Sequence, residues 1–155
     1  MKLAIIDIGT NTFKLMIARV QEDGQFIVID KEKIPVKLGE GGINNHVIAH
    51  NPYLRGLKAM KTHKARIDRF EVDKTLAFAT SAIRSAANGK EFVKKVKAET
   101  GIDIEIISGD REAELIYYGV RQALDLGTEK VLIMDIGGGS TEFIIADRDR
   151  IYWKH

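Results

Sequence analysis

The sequence lacks cysteine altogether, and it has only two prolines and one tryptophan among 155 residues. Without cysteine the chain forms no disulfides, offers no thiolate ligands for zinc and has no thiol nucleophile. Long apolar runs are also missing: the stretches 3–6 and 131–134 are each followed by an aspartate and fall far short of the roughly 20 residues of a membrane helix. No charged and apolar leader opens the chain, so we expect a cytoplasmic protein that makes no contact with membranes.

A large net charge of either sign is absent as well. The 24 Lys and Arg residues against 22 Asp and Glu residues give a formal charge of +2, which indicates no particular partner. With 45% apolar and 30% charged residues, the composition is that of an ordinary soluble globular chain. Its length suits one domain with a core of its own and is too short for two complete ones.

One segment departs from this balance of charge. Between residues 55 and 69 six basic side chains accompany a single acid, Asp68. The six are Arg55, Lys58, Lys61, Lys64, Arg66 and Arg69. Four of them recur every third residue, which on a helix makes a basic stripe that is either a solvated surface or a contact for a polyanion. Nucleic acid is not expected as the partner, because no aromatic side chains are interleaved for stacking on bases.

Apolar periodicity and turn residues predict an α/β domain with a mixed five-stranded sheet flanked by helices. The predicted strands are 3–8, 13–20, 25–37, 75–79 and 102–107. Asn51 and Pro52 predict the start of a helix that ends near residue 70, after a glycine-bearing loop at 38–45. Asn88, with Glu91 three residues later, predicts the start of a second helix that ends near residue 101. A third helix is predicted from Ser108 or Asp110 to about residue 127.

The most informative feature is an internal repeat. Residues 4–18 and 132–146 align at a constant offset of 128, with six of the fifteen positions identical. Each copy is a buried strand ending in Asp-Ile-Gly, a turn of small residues and a returning strand. We therefore expect a first lobe at residues 1–128 and the opening strands of a second, truncated lobe at 129–155, so that the chain is a fragment of a longer protein.

The two turns of the repeat are candidate phosphate sites. Turns rich in Gly, Ser and Thr bring backbone N–H groups close to an anion because no bulky side chain blocks the approach. The candidate phosphate-binding residues are Gly9, Thr10, Asn11 and Thr12 in the first turn, and Gly137, Gly138, Gly139, Ser140 and Thr141 in the second.

Acidic residues accompany both turns and are candidate metal ligands. Asp7 and Asp135 end equivalent strands, where a carboxylate can hold Mg²⁺ directly or through water. Glu142 returns on the following strand and can face the same point as Asp135. Ordinary turn capping is the alternative for each of them.

Two further charged residues lie where a strand leads into a helix. Arg84 closes the stretch 80–84, where a guanidinium can make paired hydrogen bonds to a phosphate, and a surface ion pair is the alternative. Glu112 is predicted to lie in the first turn of its helix, on the same side as Leu115, Ile116, Gly119 and Ala123. There it is either a partner of the helix dipole or a base with a raised pKa. The four histidines show no metal-binding spacing and are expected at the surface.

Taken together, these motifs resemble the exopolyphosphatase and guanosine pentaphosphate phosphohydrolase family. The stretches 7–15 and 135–142 are similar to its two phosphate loops, and 79–84 with Asn88 and Phe92 is similar to its arginine loop. The stretch 107–113 is similar to its catalytic-glutamate motif, although Arg111 stands where the family often has an acid. The resemblance covers nearly the whole chain and implies the actin-like fold, which is ribonuclease-H-like and shared with sugar kinases and heat-shock chaperones.

The resemblance also implies a function and roles for the candidate residues. It implies hydrolysis of a terminal phosphoanhydride of inorganic polyphosphate, or of the 5′-γ-phosphate of guanosine pentaphosphate. Glu112 would be the catalytic base, Arg84 and the two turns would hold the terminal phosphoryl group, and Asp135 with Glu142 would hold Mg²⁺, with Asp7 as a helper. Two alternatives remain open: a non-catalytic phosphate or nucleotide sensor on the same scaffold, and an isolated lobe without activity. We also expect the unpartnered strands after Val131 to pair between chains in a homodimer.

Overall fold

The computed structural model describes residues 1–42 and 45–155 and divides the chain into two compact units. The first unit comprises residues 1–106 and the second comprises residues 107–155. Residues 43 and 44 of the predicted loop at 38–45 lie outside the described residues. The units divide between 106 and 107, so the predicted third helix belongs to the second unit. The expected lobe boundary at 128/129 concerns a longer protein and stays a prediction.

A mixed five-stranded sheet forms the centre of the first unit, as the sequence predicts. The strands are β1 (Lys2–Ile8), β2 (Thr12–Val20), β3 (Phe26–Pro35), β4 (Lys74–Ala79) and β5 (Ile104–Ile106), and their order in the sheet is β3-β2-β1-β4-β5. Neighbours β1, β2 and β3 pair antiparallel, whereas β4 and β5 run parallel to β1. The helices are α1 (His50–Arg69), α2 (Ser81–Ser85) and α3 (Gly89–Thr100).

One face of this sheet carries the core. The alternate residues Ala4, Ile6 and Ile8 of β1 are buried, and across the hairpin they pair with the equally buried Ile17, Leu15 and Phe13 of β2. Phe92 of α3 contacts Phe13 and Tyr53 in edge-to-face geometry, with ring centroids 6.4 Å and 5.1 Å apart. A Cβ on Gly56 would lie 2.9 Å from the Phe92 ring, so glycine at this position of α1 allows the two helices to pack closely.

Two predicted helix caps are wrong in detail. Helix α1 begins at His50 and not after Asn51, and its N-cap Ala49 makes no side-chain hydrogen bond. Pro52 lies buried in the first turn of α1. The N–H groups of a first turn have no acceptor within the helix, so proline, which lacks an N–H, costs no hydrogen bond there. Asn88 is the N-cap of α3, but its side-chain amide bonds both the N–H and the carbonyl of Ile48 at 2.9 Å and so holds the loop before α1.

A buried polar network joins α1 to β3, and it corrects the prediction that all four histidines lie at the surface. The side chain of His63 is completely buried, and its Nδ1 lies 3.0 Å from a carboxylate oxygen of Glu32. Next to it the Arg66 guanidinium donates two hydrogen bonds to Asp30, at 2.9 Å and 2.7 Å. Charge patterning alone missed this histidine because only the sheet pairing brings β3 over α1.

We expect this histidine to make the stability of the first unit depend on pH. Burial lowers the pKa of His63 below its ordinary 6.5, although the Glu32 carboxylate opposes the shift. In the unfolded chain His63 therefore takes up its proton at a higher pH than in the folded chain, and stability falls as the pH falls from about 6.5 toward the lower folded value. The urea midpoint, measured between pH 7.5 and 5, should decrease with acidity more steeply in the wild type than in His63→Gln.

An exposed histidine provides the matched control for this measurement. His50→Gln should leave the pH dependence of the midpoint as in the wild type, because His50 is exposed. Parallel pH profiles for the wild type and His63→Gln would contradict the prediction.

The second unit is a three-stranded antiparallel sheet with one helix on it. The strands β6 (Val131–Ile136), β7 (Thr141–Ala146) and β8 (Ile151–Lys154) are in sequence order, and the helix is α4 (Gly109–Ala123). Ala113 and Tyr117 of α4 are buried together with Ile144 and Ala146 of β7. The apolar side predicted for this helix is partly wrong, because Gly119 and Ala123 are exposed and the buried pair is Ala113 and Tyr117.

Candidate functional site

The repeat found in the sequence is reproduced in three dimensions. In the first hairpin the N–H of Gly9 donates to the carbonyl of Thr12 at 3.1 Å, and in the second the N–H of Gly137 donates to the carbonyl of Ser140 at 3.0 Å. A Cβ on either glycine would approach the same carbonyl oxygen, at 3.1 Å and 3.0 Å respectively. Both turns therefore require glycine at the residue after Asp-Ile, because only glycine accommodates this approach without a shift.

The repeat extends into the third strand of each sheet. Between β2 and β3 the register shifts at Ile17/Ala18, and between β7 and β8 it shifts at the equivalent Ile145/Ala146. A bulge bends its strand at one position, so a bulge at the same position in both copies indicates that the third strands are duplicated too. The duplication thus covers three strands, and not only the fifteen residues visible in the sequence.

The two turns differ in what surrounds them. In the first turn the Asn11 carbonyl accepts from the N–H groups of Val36 and Lys37, both at 2.9 Å, and the Thr10 carbonyl accepts from Leu38 at 2.7 Å. These bonds brace the turn and bury Thr10, which is 6% exposed. In the second turn the three glycines at 137–139 are exposed and Ser140 is half-buried. The candidate phosphate-binding residues thus form one braced turn and one accessible turn.

The acids that accompany the turns have different partners. Asp7 lies opposite Lys14 across the hairpin, and the two side chains form an ion pair at 3.0 Å. At the equivalent positions of the second hairpin Asp135 lies opposite Glu142. Directly opposed side chains have Cβ atoms about 5 Å apart, so the two carboxylates face the same point. Asp7 is compensated by a lysine, whereas Asp135 is paired with a second negative charge.

The burial of Glu142 makes this pair suited to a cation. Glu142 is 4% exposed and lies opposite a second carboxylate, that of Asp135. Bringing two carboxylates together at a largely buried position is costly, so a cation at this place would relieve the cost. Two oxygen ligands suit Mg²⁺, which usually takes one or two carboxylates and completes its shell with water and phosphate oxygens. Within the described part of the chain no cluster of three or more His, Asp or Glu residues could hold a metal ion, and the role of Asp7 as a helper stays a prediction.

Glu112 lies in the first turn of α4, where the sequence predicts it. Ser108 caps this helix by accepting a hydrogen bond from the N–H of Arg111 at 3.2 Å, which decides between the two predicted caps. Glu112 is half-buried. Glu114, two residues on, pairs with Arg111 at 3.0 Å and with Lys154 at 2.5 Å. These ion pairs lower the pKa of Glu114. The pair with Lys154 connects α4 to β8.

Arg84 lies in the short helix α2, at the end of β4. Its N–H donates to the Thr80 carbonyl at 2.9 Å, and the Thr80 N–H donates to the Ile8 carbonyl at 3.3 Å. These two hydrogen bonds hold the backbone of Arg84 close to the end of β1. Strand β1 leads directly into the first turn. Gly89 supports this arrangement, because a Cβ there would lie 2.1 Å from the Ile83 carbonyl oxygen. The first unit thus places Arg84, Asp7 and the first turn at the same end of its sheet.

The basic segment on α1 is mostly engaged in ion pairs with carboxylates. Four of its six members have acidic partners: Arg55 with Glu40, Lys61 with Glu99, Lys64 with Asp68, and Arg66 with Asp30 and Glu32. Because these charges are largely compensated within the unit, the structure favours the solvated-surface interpretation over a polyanion contact.

Sequence reasoning missed one residue that shapes the second unit. The buried Asp147 carboxylate accepts from the N–H groups of Asp149 and Arg150 and from the Tyr152 hydroxyl, at 2.7, 2.9 and 2.6 Å. These hydrogen bonds lower its pKa to about 2. The Asp-Arg-Asp-Arg run at 147–150 was the available signal, since aspartate commonly bonds the backbone two residues on.

Comparisons with known proteins identify what the chain is similar to. Residues 16–152 match the model of the Ppx/GppA phosphatase family. A bifunctional 3-dehydroquinate synthase/phosphatase from Fusobacterium nucleatum is 40% identical over 97% of this chain and 24% of its own length. An exopolyphosphatase from Cytophaga hutchinsonii has a crystal structure with a TM-score of 0.97 and 41% identity, covering 100% of this chain and 49% of that one.

A further solved structure gives the same result. The Ppx/GppA family member from Aquifex aeolicus matches with a TM-score of 0.86 and 31% identity over 100% of this chain and 50% of that chain. The chain thus spans about a quarter of the curated relative and about half of the two solved proteins. No helix in the described ranges is both long and apolar enough to cross a bilayer.

Proposed function

Because the chain belongs to the Ppx/GppA phosphatase family, we propose that it forms part of an enzyme that hydrolyses the terminal phosphoanhydride of inorganic polyphosphate. The 5′-γ-phosphate of guanosine pentaphosphate is the second candidate substrate, since the family includes both activities. The observation that carries the proposal is the opposed pair of Asp135 and Glu142 beside an accessible glycine turn.

The proposed reaction needs positioning and charge neutralisation more than covalent catalysis. The oxygen of a water molecule attacks the terminal phosphorus, and one proton of the water passes to the carboxylate of Glu112. The bridging P–O bond breaks, and its oxygen leaves on the shortened chain with the bonding electrons. Arg84 and the backbone N–H groups of the turns at 9–12 and 137–141 bind the oxygens of the terminal phosphoryl group. Asp135 and Glu142 would hold Mg²⁺, which supplies positive charge against the phosphate oxygens.

Phosphate release by the purified full-length protein tests this proposal. We expect Mg²⁺-dependent release from long-chain polyphosphate, from guanosine pentaphosphate or from both, and much less from ATP. Binding of the same compounds without any release would support the sensor and contradict the enzyme. The 155-residue chain alone should release little or no phosphate, since residues beyond it are needed to close over a substrate.

We further propose that the 155-residue chain by itself forms a homodimer through the second sheet. The face of this sheet opposite α4 is apolar and exposed, with Leu132, Met134, Ile136 and Trp153 exposed by 63, 54, 71 and 50%. An exposed apolar face next to unpaired strand edges favours association between copies.

Light scattering over a concentration series checks this association. The wild type should be dimeric at micromolar concentration, and Met134→Lys should weaken the dimer at least roughly tenfold, because a buried unpaired charge costs more than about 1.4 kcal/mol. Leu124→Lys is the matched control, since Leu124 is 63% exposed but lies outside this face. A wild-type monomer at all concentrations would refute the dimer.

A further inference from the structure

Three strands of the first sheet end at the same edge. Strand β2 runs antiparallel to both β1 and β3, and β4 runs parallel to β1, so β1, β3 and β4 share one direction. Their carboxyl ends therefore lie in a row, with the start of β2 between β3 and β1. The first turn follows β1, and Arg84 lies in α2 directly after β4. The segment that follows β3 is thus the third group at the edge that carries the candidate phosphate site.

The segment after β3 is bound to the first turn through its backbone. The N–H groups of Val36 and Lys37 both donate to the carbonyl of Asn11 at 2.9 Å, and the N–H of Leu38 donates to the carbonyl of Thr10 at 2.7 Å. In an extended strand successive N–H groups point to opposite sides, whereas a left-handed residue turns them toward one acceptor. Lys37 has this left-handed conformation, with a φ of 52°.

Lysine is an unusual residue for this conformation. A positive φ brings Cβ close to the following carbonyl oxygen, so glycine and asparagine adopt it more readily. The strained backbone is held in place by Arg55, whose guanidinium donates to the carbonyls of Val36 and Lys37 at 2.8 Å and 3.3 Å. Glycine would make the same backbone hydrogen bonds with less strain. A lysine at a strained position beside a candidate site therefore indicates that its side chain has a use there.

The ammonium group of Lys37 has no role in the fold of the first unit. The side chain is exposed, and within residues 1–42 and 45–155 no carboxylate forms an ion pair with it. Glu40 is close enough for its N–H to donate to the Lys37 carbonyl at 3.1 Å, yet its carboxylate pairs with Arg55. A positive charge therefore remains available next to a turn that suits phosphate, and it attracts further anionic groups of the same ligand.

The position of Lys37 in the row suits a phosphate group beyond the terminal one. Strand β3 lies two strand spacings, about 10 Å, from β1, whereas β4 lies one spacing, about 5 Å, on the other side. A phosphate chain whose terminal group is held by the first turn and Arg84 can run along this edge toward β3. Its later groups then reach Lys37. Pyrophosphate has only one later group and spans less of the row.

We propose that Lys37 is a specificity-determining residue whose ammonium binds a phosphate group of the polyphosphate chain beyond the terminal one. Its left-handed backbone, held on the first turn, places this ammonium at the edge of the site. The inference rests on the proposed function for the class of substrate and adds a preference for long chains over short ones. Lys37 takes no part in the proposed hydrolysis step.

Equilibrium binding of long-chain polyphosphate to the full-length protein tests the proposal. The variants are made in the Glu112→Gln background, which limits turnover during the measurement. Lys37→Asn removes the charge but suits the left-handed backbone, and it should weaken binding about tenfold, the effect of one hydrogen bond between charged groups. Lys37→Arg keeps the charge and should bind polyphosphate as well as lysine does. Pyrophosphate, measured by competition, should lose much less affinity in Lys37→Asn.

Two controls separate a contact with substrate from a general effect of charge or stability. Lys58→Gln removes one positive charge from the exposed side of α1 and should leave both affinities unchanged. The urea midpoint of Lys37→Asn should be at least that of the protein with lysine, because asparagine adopts a left-handed backbone more readily. A lower midpoint would contradict the argument from strain.

Three results would overturn the proposal. Unchanged polyphosphate affinity in Lys37→Asn would show that the ammonium makes no contact, and equal losses in Lys37→Asn and Lys37→Arg would show that charge is not what matters. Equal losses for polyphosphate and pyrophosphate would indicate damage to the turn itself. Because binding is measured without hydrolysis, a protein that binds polyphosphate through Lys37 but releases no phosphate would refute the proposed function alone.

Discussion

Replacing Glu112 with glutamine in the full-length protein should lower turnover at least roughly a hundredfold, the usual scale of general-base catalysis, while polyphosphate still binds. Glutamine keeps the size and the hydrogen-bonding capacity of the side chain but cannot accept the proton of the attacking water. The N-terminal turn of α4 remains capped by Ser108, whose hydrogen bond to Arg111 does not involve Glu112. Phosphate release measured under saturating substrate, with binding followed separately, distinguishes loss of catalysis from loss of affinity.

The control for this experiment is Asp110→Asn. Asp110 lies in the same first turn and is exposed, and its backbone carbonyl accepts a hydrogen bond from Lys154. Its replacement removes one negative charge from the same helix end, so any effect of the helix dipole appears in both variants. If turnover were equal in Glu112→Gln and Asp110→Asn, the assignment of Glu112 as the base would be wrong.

The second large effect is expected at the opposed carboxylates of the second hairpin. Asp135→Asn and Glu142→Gln should each raise the Mg²⁺ concentration for half-maximal activity at least roughly tenfold, the loss that even outer-shell partners of a metal produce. The physical reason is that each variant removes a formal charge from a two-carboxylate site. Titration of phosphate release with Mg²⁺ measures the effect, and excess Mg²⁺ should restore part of the activity.

Asp7→Asn is the matched control, because the repeat places Asp7 where Asp135 stands. Lys14 already compensates the Asp7 carboxylate at 3.0 Å, so its loss should change the Mg²⁺ requirement far less. Equal shifts for Asp7→Asn and Asp135→Asn would show that the two hairpins serve the metal alike. That result would contradict the inference that Asp135, opposite Glu142, contributes more to metal binding than Asp7, which is paired with Lys14.

The stability of Glu142→Gln offers an independent reading of the same site. A largely buried carboxylate that faces a second carboxylate is destabilising in the absence of a cation, so Glu142→Gln should unfold at a higher urea concentration than the wild type in the presence of a chelator. Mg²⁺ should reduce the difference between the two urea midpoints, because it stabilises the wild type, which binds it, more than the variant. A variant less stable than the wild type under chelation would indicate that Glu142 has a structural role instead.

Much of the architecture follows from the sequence through local rules. The strand β1 is predicted by a short apolar run and β2 by its β-branched and bulky residues. The turn between them is predicted by its small residues after Asp-Ile, and the start of α4 by Ser108 or Asp110 before an amphipathic segment. The repeat at an offset of 128 predicts that two hairpins share one geometry, and the hydrogen bonds from Gly9 and Gly137 confirm it. These features depend on residues close together in the chain, so short sequence patterns carry them.

Other features depended on contacts between distant segments. Nothing near His63 in the sequence indicates burial, because its environment is made by Glu32 on a strand 31 residues away. The Asn88 amide was expected to cap its own helix, yet the loop at Ile48 offers it two hydrogen bonds at once. The basic stripe of α1 was open to two interpretations until acids from β3, α3 and the loop before α1 were seen beside it.

The sequence by itself determined the family and the duplicated hairpins and supplied the candidate site residues, because these are written as motifs of a few neighbouring positions. Only the tertiary structure decided which charges are compensated: Lys14 neutralises Asp7, whereas Glu142 leaves Asp135 facing a second carboxylate. The physical reason is that strand register and helix packing assign each side chain its neighbours, and those neighbours set its electrostatic environment.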